Sequence, residues 1–173
     1  MSLIHLFADD TSLLEAITNL SDSFNKLNRD LCRIEQWAKQ WLVTFNASKT
    51  KFMYITLKNT PRQLPQLTLN DTAITQVTSQ THLGLTITCN MSWDTHINYI
   101  TKKANKRITL LKRIKRLVPR KCLETLYISM IRPILEYACV VFDNCNKNQG
   151  QCLEQVQREA ALVCSGAYRV TKT

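Results

Sequence analysis

The period of apolar positions changes along this chain, and the changes predict its elements. Leu3, Ile4, Leu6 and Phe7 form a short apolar run that ends at Asp9 and Asp10, the pattern of a buried strand. From Leu13 the apolar positions continue through Ile17, Leu20, Phe24, Leu27, Leu31, Ile34, Ala38 and Trp41 in steps of three and four. That stripe predicts one long amphipathic helix, with Asp9 to Ser12 supplying its capping candidates. After Trp41 the residues favour strands. Phe52 to Leu57 reads as one, residues 58–66 as a loop with two prolines, and Leu67 to Leu69 and Ala73 to Val77 as a hairpin turning at Asn70-Asp71. His82 to Thr88 reads as a further strand in which Gly84 marks a bulge or a close backbone approach.

From Trp93 the helical period returns. Ile97, Tyr99 or Ile100, Ala104, Ile108, Leu111 and Ile114 predict a helix stopped by Pro119. Two shorter helices divided near Pro133 follow, over Cys122 to Ile131 and Ile134 to Phe142, and Cys152, Val156, Ala160 and Val163 mark a last one. The outline is an α+β unit over residues 1–91 and an all-helical unit over 92–173.

Charge adds a partner class to this outline. Lys and Arg number 23 against 13 Asp and Glu in 173 residues, a formal net charge of +10. The surplus is concentrated. Lys102, Lys103, Lys106, Arg107, Lys112, Arg113, Lys115, Arg116, Arg120 and Lys121 occur with no acidic residue among them. A solvated helix face interleaves both signs, so this run predicts contact with a polyanion, through phosphates rather than base edges. Aromatic residues are sparse within it, and base stacking is not indicated there.

Other features narrow the class. The seven cysteines contain no Cys-x-x-Cys pair, and this spacing fits neither a disulfide framework nor a zinc site. They read as reduced, mostly buried thiols of a cytoplasmic or nuclear, non-secreted protein. The most apolar window, Met130 to Phe142, is interrupted by Arg132, Pro133 and Glu136 and is too short to span a bilayer. His5, His82 and His96 are scattered and read as satisfied structural histidines. Trp37, Trp41 and Trp93 read as core residues.

The adjacent carboxylates Asp9 and Asp10 allow two readings. Asp-Asp-Thr-Ser is ordinary turn and helix-start chemistry. Paired carboxylates at a strand tip also suit magnesium, which takes hard oxygen ligands and leaves positions for substrate phosphates. The Phe7-Ala8-Asp9-Asp10 box resembles the Phe/Tyr-Ala-Asp-Asp hairpin of reverse transcriptases, specifically those of non-LTR (LINE-type) retrotransposons. The resemblance runs through Ile34-Glu35-Gln36-Trp37-Ala38-Lys39-Gln40-Trp41, Asn46-Ala47-Ser48-Lys49-Thr50, His82-Leu83-Gly84-Leu85-Thr86-Ile87, and Trp93-Asp94-Thr95-His96-Ile97. It continues through Leu126-Tyr127, Ile131-Arg132-Pro133-Ile134-Leu135-Glu136-Tyr137-Ala138, Leu153-Glu154-Gln155-Val156-Gln157 and Gly166-Ala167-Tyr168-Arg169.

That resemblance implies a partial polymerase palm, antiparallel strands with a long helix, followed by a helical thumb. It implies RNA-directed DNA synthesis by magnesium-dependent nucleotidyl transfer, with Asp9 and Asp10 as metal ligands and Lys49 as the general acid for pyrophosphate. His82, Leu83 and Gly84 fall in the primer-grip-like segment, and the basic helix becomes the thumb helix along an RNA template paired with RNA–DNA or DNA duplex. Met1 stands eight residues before Asp9, and no other carboxylate sits in the context of the family's third metal ligand. The expectation is therefore a palm and thumb remnant, inactive alone unless self-association or another chain completes the palm. A non-catalytic, sequence-independent RNA or RNA–DNA duplex binding module and a translated retroelement relic are the alternatives.

Overall fold

The chain reverses direction directly after Phe7. In the computed structural model, which describes residues 2–58 and 63–166, strand β1 (Leu3–Phe7) pairs antiparallel with β2 (Asp10–Leu14), Phe7 opposite Asp10 and Leu3 opposite Leu14. Leu13 thus belongs to a strand and not to the helix expected from it. Leu13 and Ile17 satisfy a helical step, but Thr11 and Ser12 suit an extended partner for β1 equally well, and the ladder decides. Helix α1 (Leu20–Gln40) begins later, where the Asn19 side chain accepts from the Asp22 backbone N–H at 3.4 Å. Asn19 is the cap, in place of Asp9 to Ser12.

The chain divides into two compact units between Thr78 and Ser79. In the first unit α1 buries Phe24 against Leu67, Leu69 and Ile74, with Leu27, Leu31 and Phe52 packed around them. The Phe24 and Phe52 rings meet edge to face at 6.0 Å. The Asn70-Asp71 hairpin forms as expected, between β4 (Thr68–Leu69) and β5 (Thr72–Ala73), with φ of 48° and 56° at its two turn residues. The strand expected over Phe52 to Leu57 contracts to β3 (Lys51–Phe52), which lies parallel to β6 (Thr75–Gln76). The loop expected over residues 58–66 falls partly outside the described residues. Trp37 and Trp41 are exposed rather than core, Trp41 at 64%. The first unit's cluster takes in α1 only from Leu20 to Leu31, and beyond it Ala38 is buried while the two tryptophans beside it on the stripe are left open.

The second unit opens with β7 (Ser79–His82) and β8 (Leu85–Thr88), an antiparallel hairpin turning at Leu83-Gly84 with φ of 46° and 79°. Gly84 is thus a turn residue and not a bulge within a single strand, since two consecutive left-handed residues reverse the chain. Helix α2 (Asp94–Ile114) packs against α6 (Lys147–Ser165). The core joins Ala104, Ile108 and Leu111 to Leu123, Ile131, Leu135, Val156 and Ala160. A second cluster, Trp93, Ile97, Ile100 and Phe142, takes in Leu85 of β8. Trp93 is buried, as expected.

The expected break at Pro133 does not occur. Helix α3 (Arg120–Leu126) runs through a π-helical turn (Tyr127–Ile131) into α4 (Arg132–Glu136), and the Arg132 backbone N–H bonds to Tyr127. The proline lies in the first turn of α4, where it lacks no needed donor. The chain bends instead at Tyr137-Ala138, Ala138 having φ of 53°, before the short α5 (Cys139–Phe142). Asn146 and Gln149 close a reciprocal capping box on α6. Residues 167–169 of the Gly166-to-Arg169 motif lie outside the described residues. The cysteines depart from expectation too: all seven are free, but Cys32, Cys122, Cys139 and Cys152 are exposed and only Cys164 is buried. Among the described residues no helix is long and apolar enough to cross a membrane.

Candidate nucleic-acid interface and carboxylate pair

Asp9 and Asp10 owe their position to the tightness of the first hairpin. Only Ala8 and Asp9 separate the paired residues Phe7 and Asp10, and Ala8 takes a φ of 52° to make the turn. Asp9 therefore sits in the turn and Asp10 opens β2, both exposed at the tip. No cluster of three or more His, Cys, Asp or Glu side chains gathers among the described residues, so the pair has no third protein ligand from them. Two carboxylates suffice for the protein share of one magnesium ion that completes its shell with water and phosphate oxygens. The donor set fits a partial site. A two-ion site needs a further carboxylate.

The root of this hairpin is tied to α1. Asp30 is almost fully buried, accepting from the backbone N–H of Ser2 at 2.7 Å and from Arg33 at 3.0 Å. The Ser2 bond, foremost, holds the Asp30 carboxyl below its ordinary value against the opposing effect of burial. Lys26 bonds Glu15 just past β2 at 2.7 Å.

Lys49 stands on a separate turn of the same unit. Asn46 builds that turn, its Oδ1 accepting from Ser48 Oγ at 2.7 Å and from the Lys49 backbone N–H at 3.1 Å. The Lys49 side chain is exposed and, among the described residues, forms no ion pair with Asp9 or Asp10. The Asn46 to Thr50 box is thus a compact turn that presents its lysine to solvent.

In the second unit the basic run is displayed as its charge pattern predicts. Ile97, Ile100, Ala104, Ile108 and Leu111 occupy the buried stripe of α2. Lys102, Lys103, Lys106, Arg107, Lys112, Arg113, Lys115, Arg116, Arg120 and Lys121 are all exposed. Among the described residues only Lys112 of these ten forms an ion pair, with Glu159. Lys103 lies 5.9 Å over the Tyr99 ring, and Arg120 donates to the Ser165 carbonyl. The remaining cations lie exposed with no ion-pair partner among the described residues.

Leu83 and Gly84 form the tip of the β7–β8 hairpin, and His82 is the last residue of β7. Two residues absent from the expected site hold this hairpin. His96, on α2, accepts the Thr86 backbone N–H at its Nδ1 at 3.3 Å and packs against Trp93 and Phe142. Its Nε2 is buried with no partner, so the expected satisfied histidine is only half satisfied, and burial lowers its pKa from the ordinary 6.5. At the turn itself the Tyr137 hydroxyl donates to the Leu83 carbonyl at 2.8 Å. Helical spacing from Trp93 places His96 on an inward face. The Tyr137 contact joins residues 54 apart and leaves no periodic trace in the sequence.

Comparison with known proteins gives a consistent picture. The chain is similar to the RNA-directed DNA polymerase from mobile element jockey of Drosophila melanogaster, 25% identical over 170 residues that make up 95% of this chain. The corresponding polymerase from jockey of Drosophila funebris is 24% identical over 95% of the chain. A probable RNA-directed DNA polymerase from transposon BS of Drosophila melanogaster is 22% identical over 92%. The chain spans about 18% of the length of each of these relatives. No family model matches the chain, and no solved structure matches it significantly.

Proposed function

We propose, from this distant relationship to the RNA-directed DNA polymerases of non-LTR retrotransposons, that the chain binds RNA template and RNA–DNA or DNA duplex without sequence preference. The carrying observation is the row of ten exposed cations from Lys102 to Lys121, of which Lys112 alone is ion-paired among the described residues. Such a face neutralises backbone phosphates and gains affinity by releasing their counterions. In this reading residues 1–91 correspond to part of a polymerase palm and 92–173 to the thumb. The β7–β8 hairpin then serves the palm as a primer grip while packing with the helices that follow it.

A second reading, nucleotidyl transfer, is favoured by the exposed pair at the β1–β2 tip. Asp9 and Asp10 would hold magnesium, which when bound supplies Lewis-acid stabilisation of phosphoryl oxygens. Lys49 would deliver a proton to the departing pyrophosphate. No third carboxylate joins the pair among the described residues, so this chemistry waits on a further ligand from another strand or chain. Among the described residues β1 pairs only with β2 and leaves its other edge open to such a strand.

One titration tests the binding reading and one assay the catalytic reading. Fluorescence anisotropy with an RNA–DNA duplex over a range of salt gives a steep linear fall of log affinity with log salt. Changing Lys102, Lys103, Lys106 and Arg107 to Glu flattens that slope by about four, roughly one for each lost phosphate contact. An unchanged slope refutes the basic-face reading. Primer extension that disappears on Asp9→Asn supports nucleotidyl transfer, whereas Asp9→Asn with Asp10→Asn leaves duplex affinity equal or higher.

A further inference from the structure

The β7–β8 hairpin has too little of its own to hold its tip in place. Each strand has four residues, and an isolated two-stranded ribbon of that length is marginal in water. Its turn also puts Leu83 at a φ of 46°, a left-handed conformation that a leucine side chain disfavours. Gly84, at 79°, pays no such penalty, but its neighbour needs support from outside the hairpin.

Support comes from two sides. On β8, directly after the turn, Leu85 packs into the Trp93, Ile97 and Phe142 cluster, and His96 takes the Thr86 N–H. At the tip, Tyr137 reaches across, its hydroxyl on the Leu83 carbonyl and its ring against Gly84. A Cβ placed on Gly84 would lie 3.1 Å from Tyr137 Cε1, so the ring occupies the space that any other residue would need. Tyr137 itself is fixed, its backbone N–H bonded to the Pro133 carbonyl at 3.1 Å where α4 ends and the chain bends at Ala138. The contact lies at the surface, with Tyr137 57% exposed. A solvent-exposed hydroxyl bond adds little to global stability, yet it fixes one carbonyl and one strained residue at a protruding tip.

We infer that Tyr137 is a positioning residue: its hydroxyl sets the Leu83-Gly84 tip in the orientation that meets bound nucleic acid. This rests on the nucleic-acid-binding reading above and adds to it a residue outside the basic helix. Tyr137 acts through the tip and carries no phosphate itself.

The test compares Tyr137→Phe, which keeps the ring and removes the bond, with the unchanged chain, and uses Gly84→Ala as a second disruption from the opposite side. Three quantities are measured: amide hydrogen exchange over residues 79–88, thermal midpoint, and affinity for an RNA–DNA duplex across salt. The expected result for Tyr137→Phe is several-fold faster exchange at the tip, a thermal midpoint essentially unmoved, and affinity lowered about two- to tenfold, the range set by one hydrogen bond. The salt slope stays constant because no cation is lost. Gly84→Ala, strained at positive φ and crowded by the ring, gives the same direction of change.

Unchanged tip exchange in Tyr137→Phe overturns the proposal, as does faster exchange with unaltered affinity. A change in salt slope equal to that of the lysine variants also overturns it. If the unchanged chain binds no duplex, the underlying reading fails, and the positioning role fails with it. Binding that survives in Tyr137→Phe at full strength leaves the basic-face reading standing and removes only Tyr137.

Discussion

Ala8 carries a conformational cost at the first turn. Its φ of 52° with Asp9 outside the left-handed region matches a two-residue turn that glycine enters freely. Ala8→Gly is expected to stabilise the β1–β2 hairpin by about 1 kcal/mol, seen as slower amide exchange along both strands. His96 carries a cost of a different kind. Its buried ring stays neutral in the folded chain, with a pKa below 6.5, while the unfolded chain protonates at the ordinary value. As pH falls below about 6.5 the unfolded state binds the extra proton and stability declines, levelling off once pH passes below the folded value. Asp30 acts in a lower window, because its stabilisation is complete above 3.8 and is lost as pH falls through its depressed folded value. Urea midpoints should therefore fall between pH 7 and pH 5.5, and His96→Phe should flatten that fall while leaving the loss at lower pH in place.

Elements differ in how openly the sequence declares them. Helix α2 is readable almost to the residue, because Ile97, Ile100, Ala104, Ile108 and Leu111 all lie on its buried stripe, the first two in one core cluster and the last three in the other. The same spacing sends the lysines and arginines outward, so the basic face is readable along with the helix. The Asn70-Asp71 turn is readable from turn chemistry, and Asp71→Gly, relieving a φ of 56°, should raise the unfolding free energy of the first unit by up to about 1 kcal/mol, read by chemical unfolding. Two-residue strands such as β3 and β6 carry no period at all, and only their neighbours define them. Leu13 fits two periods at once. Pro133 reads as a break, but it falls in the first turn of α4 directly after the π-helical turn, and the helix runs on through it. The carboxylate pair and Lys49 are visible as residue types, but their exposure and lack of mutual contact follow from turns that composition does not describe. Tyr137 escapes sequence reading because its partner lies in another supersecondary unit.

At the scale of the whole chain, the net charge of +10 and the open cations of α2 would make the proposed nucleic-acid affinity a property of ionic strength as much as of shape. Each compact unit has its own core, and the larger holds Ile108 and Cys164 together. That placement makes the cysteines a built-in clock. Cys32, Cys122, Cys139 and Cys152 are open to solvent, whereas Cys164 is buried, bonds the Leu123 carbonyl at 3.6 Å, and has its thiol pKa raised by desolvation. A thiol reagent should consume the exposed set quickly and then wait on the opening of the helical core to reach Cys164. Ile108→Ala, which leaves a cavity costing about 2–5 kcal/mol, should speed that last reaction at least about tenfold without changing the first phase. Progress of the slow phase, read by mass spectrometry, then times how often the second unit opens.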